Sequence, residues 1–354
     1  MTRQHFVALD GLRGIAALLV MAHHIGLASG YPQIAPLGFL AVDLFFVLSG
    51  FVIAQAYEPR FADGPVGKGM GAGRFMAIRL VRLYPLIFLG LLLGASWSLI
   101  AGDGNFNAGS AINFLLLPTL LGGATMTFAF DTPVWSLAFE IVANFAHATL
   151  LWRIGRAGLA VIALLSGAAL LAAMIHFASP SLGWETRTFV VGFFRIGFSY
   201  VVGILLYRIV RGGAVCEWRV PLIVPIIVLI AVLHGPLPPL WAVERGAVIT
   251  FLVFPAIVVV AIHQRPTGRW AAAMTWLGQL SFPLYAIHLP IVTFAARLIV
   301  NQPAAAQLPL WILFVFVIVA AALALERRVD LPLRRWLRPR LVERGGGRRE
   351  PAVS

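Results

Sequence analysis

Along this chain, apolar stretches recur with only short polar breaks between them. A helix that crosses the hydrocarbon core of a bilayer needs roughly 20 mostly apolar residues. The pattern therefore predicts spanning helices over about 7–28, 38–57, 83–101, 133–152, 157–178, 188–209, 220–234, 246–263, 280–300 and 308–326. The run from Ile112 to Leu121 is too short to cross and predicts a re-entrant or interfacial piece. The stretch over 220–234 is also short and carries Pro221 and Pro225. The expected fold class is an all-α integral membrane bundle of about ten transmembrane helices. Residues 1–330 would form the membrane domain and 331–354 a basic tail without structure.

The loops orient this bundle. Arg60, Lys68, Arg74, Arg79 and Arg82 fall in one connection, and Arg153 and Arg156, then Arg208, Arg211 and Arg219, then Arg265 and Arg269 fall in later alternate ones. The intervening connections around Gly30–Pro36, Gly102–Asp131, Ser179–Glu185 and Asn301–Pro309 are expected to face outward, since basic loops stay in the cytoplasm. An even number of spans then places both termini in the cytoplasm, in agreement with the Arg-rich stretch from Arg327 to Arg349.

Composition agrees with a lipid solvent: 60% of the 354 residues are hydrophobic, 12% are charged, and the mean hydropathy is +0.91. The formal net charge of +13 does not point to nucleic acid, because the arginines follow membrane topology. The single cysteine, Cys216, can close no intrachain disulfide and build no thiolate metal site, and no metal is expected. The first apolar segment contains Asp10 and Arg13 and is followed by nine more, which argues against a cleaved signal peptide.

Ionisable groups at membrane depth are costly and mark functional sites. On the first helix, Asp10, Arg13 and His24 share a face, with Arg13 and His24 about 16 Å apart along the axis. His23 is turned by about 100° and is expected outside the site. Asp43 and Ser49 lie on the second helix. Trp135 and Glu140 open the fourth, with Asn144 and His147 following at helical spacing. Ser281, Tyr285 and His288 repeat that spacing near the end. Ser281, Asn144 and Tyr285 also suit plain interhelical hydrogen bonding, while His147, His176, His234 and His263 sit near span ends, where interfacial solvation accounts for them. A neutral histidine such as His24 can act as a general base, and a nearby carboxylate can orient it. Arg79 and Arg82, three residues apart on one side of a helix, suit either topology or phosphate binding.

The ordered motifs Leu9-Asp10-Gly11-Leu12-Arg13 with His24, Gly38–Phe51 with Asp43 and Ser49, Arg79-Leu80-Val81-Arg82, Trp135-Ser136-Leu137 with Glu140, and Leu280–His288 cover nearly the whole chain. Together they resemble the membrane-bound acyltransferase-3 family, whose bacterial members O-acetylate lipopolysaccharide, exopolysaccharide, peptidoglycan and other glycans. One departure is Ile141-Val142-Ala143-Asn144-Phe145, where family members often carry aromatic residues.

The resemblance implies a multi-pass protein of the bacterial inner membrane with no permanently bound cofactor and acyl-coenzyme A as co-substrate, acetyl-coenzyme A being the expected form. Arg79 and Arg82 would hold its phosphates at the cytoplasmic face, and the pantetheine arm would lead the thioester inward past Arg13. His24 would take the proton of an acceptor hydroxyl, with Glu140 or Asp43 orienting it and Arg13 or Tyr285 stabilising the oxyanion. An acyl-His24 intermediate is the competing version. Asp10, Ser49, Trp135, Ser281, Tyr285 and His288 would serve substrate binding or structure. The acceptor is expected to be an envelope or secreted carbohydrate. Some relatives add an extracytoplasmic domain, so the chain would deliver the acyl group itself or hand it to a separate extracytoplasmic partner. The alternative is a transporter or flippase of a lipid-linked sugar or acyl group, against which stands the lack of any repeat of the Arg13-to-His24 face. A receptor lacks an extramembrane domain to bind its signal.

Overall fold

A computed structural model describes residues 6–62, 70–107, 109–120, 124–212, 220–235 and 241–343, with side chains as far as 337. Lys68, Cys216, Arg219, Arg349 and the rest of the tail beyond 343 lie outside the described residues. The helices are α1 (Val7–Ser29), α2 (Ala41–Ala62), α3 (Ala72–Ala101), α4 (Val134–Thr149), α5 (Arg156–His176), α6 (Val191–Arg211), α7 (Ile223–His234), α8 (Ala242–Ile262), α9 (Gly268–Ile299), α10 (Ala304–Leu325) and α11 (Leu331–Glu343). No strand occurs among the described residues, whose only ladder contact is an isolated bridge between Met126 and Glu185. The protein is an all-α multi-pass membrane protein.

A helix stands at each of the ten expected places, but only eight are long and apolar enough to cross a bilayer. The 16 residues of α4 rise about 24 Å and the 12 of α7 about 18 Å, both less than the hydrocarbon core. Ahead of α4 the missing length is filled by irregular chain. Phe128, Phe130 and Asp131 are buried there, and Gly94 of α3 lies so close that a Cβ on it would meet the Phe130 carbonyl at 1.8 Å. The short run at 112–121 contributes a single 3-10 turn, Ser110–Leu115. Its fully buried Asn113 ties the fold-back together, donating to the carbonyls of Leu117 and Thr127 and accepting from the Ala129 N–H. Asn113 thereby satisfies backbone groups of this irregular stretch, as burial in protein requires, while the carboxyl oxygens of the buried Asp131 find no hydrogen-bond partner among the described residues.

Two helices start about eleven residues earlier than hydropathy predicts, α3 at Ala72 and α9 at Gly268. Charge lowers the local hydropathy of these segments without breaking the helix. Arg79 and Arg82 therefore lie within a helix, not in a loop. A π-turn, Glu326–Asp330, ends the last span, and the stretch after it, expected to lack structure, continues to Glu343 as α11, whose Arg334 pairs with Glu326 and Asp330.

Small residues let the helices cross closely, as association in lipid requires. The most extensive pairing is α1 with α9, and α2 with α6 follows. A Cβ on Gly14 would lie 2.2 Å from the Leu277 carbonyl, and one on Gly50 would lie 2.0 Å from that of Tyr200. Pro283 and Pro290 inside α9 remove two helical N–H groups, so the Gln279 and Ala286 carbonyls lose their partners four residues on. The Ala286 carbonyl projects against Gly90 of α3, where a Cβ would approach it to 2.0 Å.

Candidate active site

The polar faces of α1, α2, α3, α4 and α9 converge on two cavities that share one side chain. At the end of the bundle bearing the arginine-rich connections, a narrow cavity of about 80 Å³ is lined by Arg13, Ser49, Arg79, Arg82, Ser136, Glu140, Ser281 and Tyr285 among apolar residues. Toward the opposite end, a cavity of about 440 Å³ is lined by His23, His24, Trp135, Trp184, Arg195 and Tyr285, with largely apolar walls. Tyr285 stands in both linings. Its hydroxyl lies 2.7 Å from Ser136 Oγ and 3.3 Å from the Pro133 carbonyl, joining α9 to the start of α4.

In the narrow cavity the two arginines of α3 differ. Arg79 is 5% exposed and donates to Glu140 Oε1 at 2.8 Å, while Ser49 Oγ donates to the same oxygen at 2.7 Å. Arg82, one turn further on, lines the cavity with no hydrogen-bond or ion-pair partner among the described residues. Arg13 Nη1 stands 3.7 Å from Asp10 Oδ1 on the same helix, and Asp10 packs against Gly278 of α9. Ser281 donates to the Arg13 carbonyl at 3.3 Å, the interhelical role expected of it. Three guanidiniums thus face one carboxylate, an arrangement that receives anions.

In the wider cavity, His24 Nδ1 lies 3.0 Å from the Val20 carbonyl and 3.1 Å from His288 Nε2. His288 is fully buried behind it, with Nδ1 2.9 Å from the Tyr285 carbonyl and 3.2 Å from that of Leu284. Neither expected carboxylate touches His24. Glu140 is tied to Arg79 and Ser49. Asp43, fully buried, is held by Arg195, which donates from Nε at 3.2 Å and from Nη2 at 2.5 Å. Ser199 and Thr250 also donate to Asp43, the latter from a π-turn in α8. Arg13, about 16 Å from His24 along α1, lines only the narrow cavity. His23 lines the wider cavity after all, since a 100° step still falls within so broad an opening. Its Nδ1 donates to the Ala35 carbonyl.

Arg195 went unrecognised in the sequence. It is 1% exposed, lines the wider cavity, donates to the Leu182 carbonyl and lies 5.6 Å over the ring of Trp135. The signal was available, because an arginine four residues into the apolar run of α6 is as costly as Arg13 in α1. His147, expected to be solvated at a span end, is instead fully buried. Its Nε2 lies 3.2 Å from Glu58 and its Nδ1 3.0 Å from the Tyr200 hydroxyl. Tyr200 donates to Asn144, and Arg208 clamps Glu58 and the Leu151 and Trp152 carbonyls of the 3-10 turn that follows α4. This network borders neither cavity and serves packing.

The family model of the acyltransferase domain, Acyl_transf_3, matches residues 6–327. Acyltransferase MdmB of Streptomyces mycarofaciens is 26% identical over 82% of this chain and 80% of its own. The putative membrane-bound transacylase BcsY of Komagataeibacter xylinus is 26% identical over 91% and 82%. The peptidoglycan O-acetyltransferase OatA of Listeria monocytogenes is 28% identical over 27% of this chain and 14% of its own. No solved structure matches.

Proposed function

The chain belongs to the membrane-bound acyltransferase-3 family, and on that premise we propose that it moves an acyl group, acetyl in the simplest case, from cytoplasmic acyl-coenzyme A to a hydroxyl of an envelope or secreted carbohydrate. The observation that carries this reading is the meeting at Tyr285 of an arginine-lined cavity and a histidine-lined one. Positive-inside topology puts the arginine cavity at the cytoplasmic face. Arg82, unpaired and facing the cavity, is the natural partner of a donor phosphate, with Arg13 beside it. Arg79 takes a different role from the one expected, because its charge is already engaged by Glu140. Phe45 packs edge-on against Tyr285 with ring centroids 5.4 Å apart, so these rings must part for the uncharged thioester to pass, whereas the phosphates stay with the arginines.

At the far end His24 Nε2 takes the hydroxyl proton while the acceptor oxygen forms its bond to the thioester carbonyl carbon. The tetrahedral oxyanion collapses with cleavage of the C–S bond, and the proton passes from His24 to the leaving thiolate. Tyr285, at the junction, is nearer than Arg13 to that oxyanion and would donate to it on releasing the Pro133 carbonyl. The aromatic walls supplied by Trp135 and Trp184 suit the apolar face of a sugar ring. The O-acetyltransferase among the relatives supports a hydroxyl acceptor.

The test is release of coenzyme A from acetyl-coenzyme A by protein in nanodiscs with crude envelope glycan as acceptor. His24→Ala should abolish release and Arg82→Ala should raise the KM for the donor. Full activity in His24→Ala would overturn the mechanism.

A further inference from the structure

We infer that His288 is the positioning residue of this transfer: its Nε2 accepts the Nδ1–H of His24 and so leaves the His24 Nε2 lone pair facing the cavity. The inference rests on the reading of His24 as the base, and replaces the carboxylate that the sequence suggested for this task.

The hydrogen positions follow from what each partner can do. His288 Nδ1 lies within hydrogen-bond distance of two carbonyl oxygens, those of Tyr285 and Leu284, and carbonyls only accept. That nitrogen therefore carries the hydrogen. A neutral imidazole has one N–H, so His288 Nε2 is a lone pair. At 3.1 Å it faces His24 Nδ1, and two lone pairs at that distance would repel. His24 Nδ1 must then carry its hydrogen. The Val20 carbonyl, 3.0 Å from the same nitrogen, demands the same result independently. What remains is His24 Nε2, unprotonated, with no partner among the described residues and in a side chain that lines the 440 Å³ cavity.

The chain of constraints holds through the reaction. When Nε2 takes the acceptor proton, Nδ1 keeps its hydrogen and continues to donate to His288, which stabilises the imidazolium without itself changing protonation. His288 can do this because it is fixed on both sides. It is fully buried on α9, and its ring lies 5.0 Å from that of His24. The other groups facing the pair leave no competitor for the role. His23 stands edge-on at 5.4 Å and donates to Ala35, Tyr285 is bound to Ser136 and Pro133, and Arg195 is neutralised by Asp43. No carboxylate lines this cavity among the described residues. A neutral acceptor suits an apolar cavity, where an uncompensated carboxylate would be far costlier to bury.

Two variants and one spectrum test the inference. His288→Leu removes the acceptor at similar bulk and should lower kcat about 10- to 100-fold, short of the full contribution of a general base, with the donor KM within about two-fold. His288→Gln, whose side-chain oxygen can accept from His24 Nδ1, should recover most of the loss. Nitrogen-15 spectra of histidine-labelled protein in nanodiscs, assigned by His24→Ala, should show His24 with Nδ1 protonated and Nε2 bare in the wild type, and a mixture of tautomers in His288→Leu. Wild-type kcat in His288→Leu, a glutamine variant no better than leucine, or a His24 Nε2–H tautomer in the wild type would each overturn the inference. The spectrum of the wild type decides the matter even if His288→Leu fails to fold. Loss of activity in His24→Ala alongside wild-type behaviour of His288→Leu would sink only the positioning role. Full activity in His24→Ala would sink the base itself.

Discussion

Substituting alanine for Arg79 and for Arg82 should injure the protein in different ways, although the two residues sit one turn apart in one motif. Arg79 is 5% exposed and Glu140 16%, and they meet at 2.8 Å with Ser49 completing the carboxylate's contacts. Removing one member of a buried pair leaves the other charge uncompensated, at a cost of about 3–5 kcal/mol. Arg79→Ala should therefore lower the melting temperature in nanodiscs markedly. The double variant Arg79→Ala/Glu140→Ala should be less destabilised than the sum of the singles, by on the order of 0.5–3 kcal/mol of coupling. Arg82 has no hydrogen-bond or ion-pair partner among the described residues to abandon, so its loss should change stability by no more than about 0.5 kcal/mol. It should instead remove charge-assisted bonds to a donor phosphate worth about 1.5–3 kcal/mol, which corresponds to roughly a 10- to 150-fold rise in the acyl-coenzyme A KM. Thermal unfolding and steady-state coenzyme A release on the same samples separate the two effects. Equal loss of stability in both single variants, or equal rises in KM without loss of stability, would refute the division of labour.

Three further outcomes follow from the packing and the loops. Gly50→Ala places a Cβ 2.0 Å from the Tyr200 backbone carbonyl and should cost about 3 kcal/mol or prevent folding, whereas Gly71→Ala meets nothing within 4 Å and should be silent in thermal unfolding. Arg195→Met strands the fully buried Asp43 and should cost about 3–5 kcal/mol, against about 1 kcal/mol for Thr250→Val; similar melting temperatures for the two would show that the ion pair is not what holds α2 to α6. In the loop after α3, burial would raise the Asp103 carboxyl, but hydrogen bonds from Ser98 and Asn105 outweigh it and hold the pKa below the ordinary value. Its stabilising effect is thus present above the usual carboxylate range and is lost as pH falls through the lowered pKa. Ser98→Ala should return the titration toward the ordinary value when the Asp103 carboxyl is followed by carbon-13 NMR, and an unchanged midpoint would contradict the assignment.

The helices were legible because their signal is hydropathy, and lipid leaves few alternatives to a helix. What hydropathy misplaced was charge inside helices: it started α3 only after Arg79 and Arg82, and it passed over Arg195, a lone charge in an otherwise apolar run, while nothing at the span ends announced that Glu58 and Arg208 meet. The candidate site was legible as a set of residues but not as a set of pairs. Spacing along one helix places Arg13 and His24 on a common face, yet nothing in the sequence says that Glu140 on α4 meets Arg79 on α3, or that Asp43 on α2 meets Arg195 on α6. Such partners are fixed by how five helices rotate against each other, and those rotations are set by the glycine contacts at Gly14, Gly50 and Gly90.

Those pairings also explain how one bundle can hold two chemically different compartments. Three guanidiniums and one carboxylate leave the narrow cavity with an excess of positive charge, while among the described residues the wider cavity is lined by one fixed charge, Arg195, already balanced by Asp43, beside the imidazoles of His23 and His24. In the mechanism proposed here, a donor with a polyanionic head and an uncharged reactive tail is sorted by that asymmetry: the head is retained where its charge is matched, and only the thioester enters the apolar compartment. There the same low polarity strengthens each hydrogen bond to the developing oxyanion. It also makes a carboxylate partner for His24 a liability and a second histidine a workable substitute. The displacement of both Asp43 and Glu140 from His24 is then a consequence of how the charges are partitioned, and Tyr285, the side chain common to both linings, is the residue across which the partition is drawn.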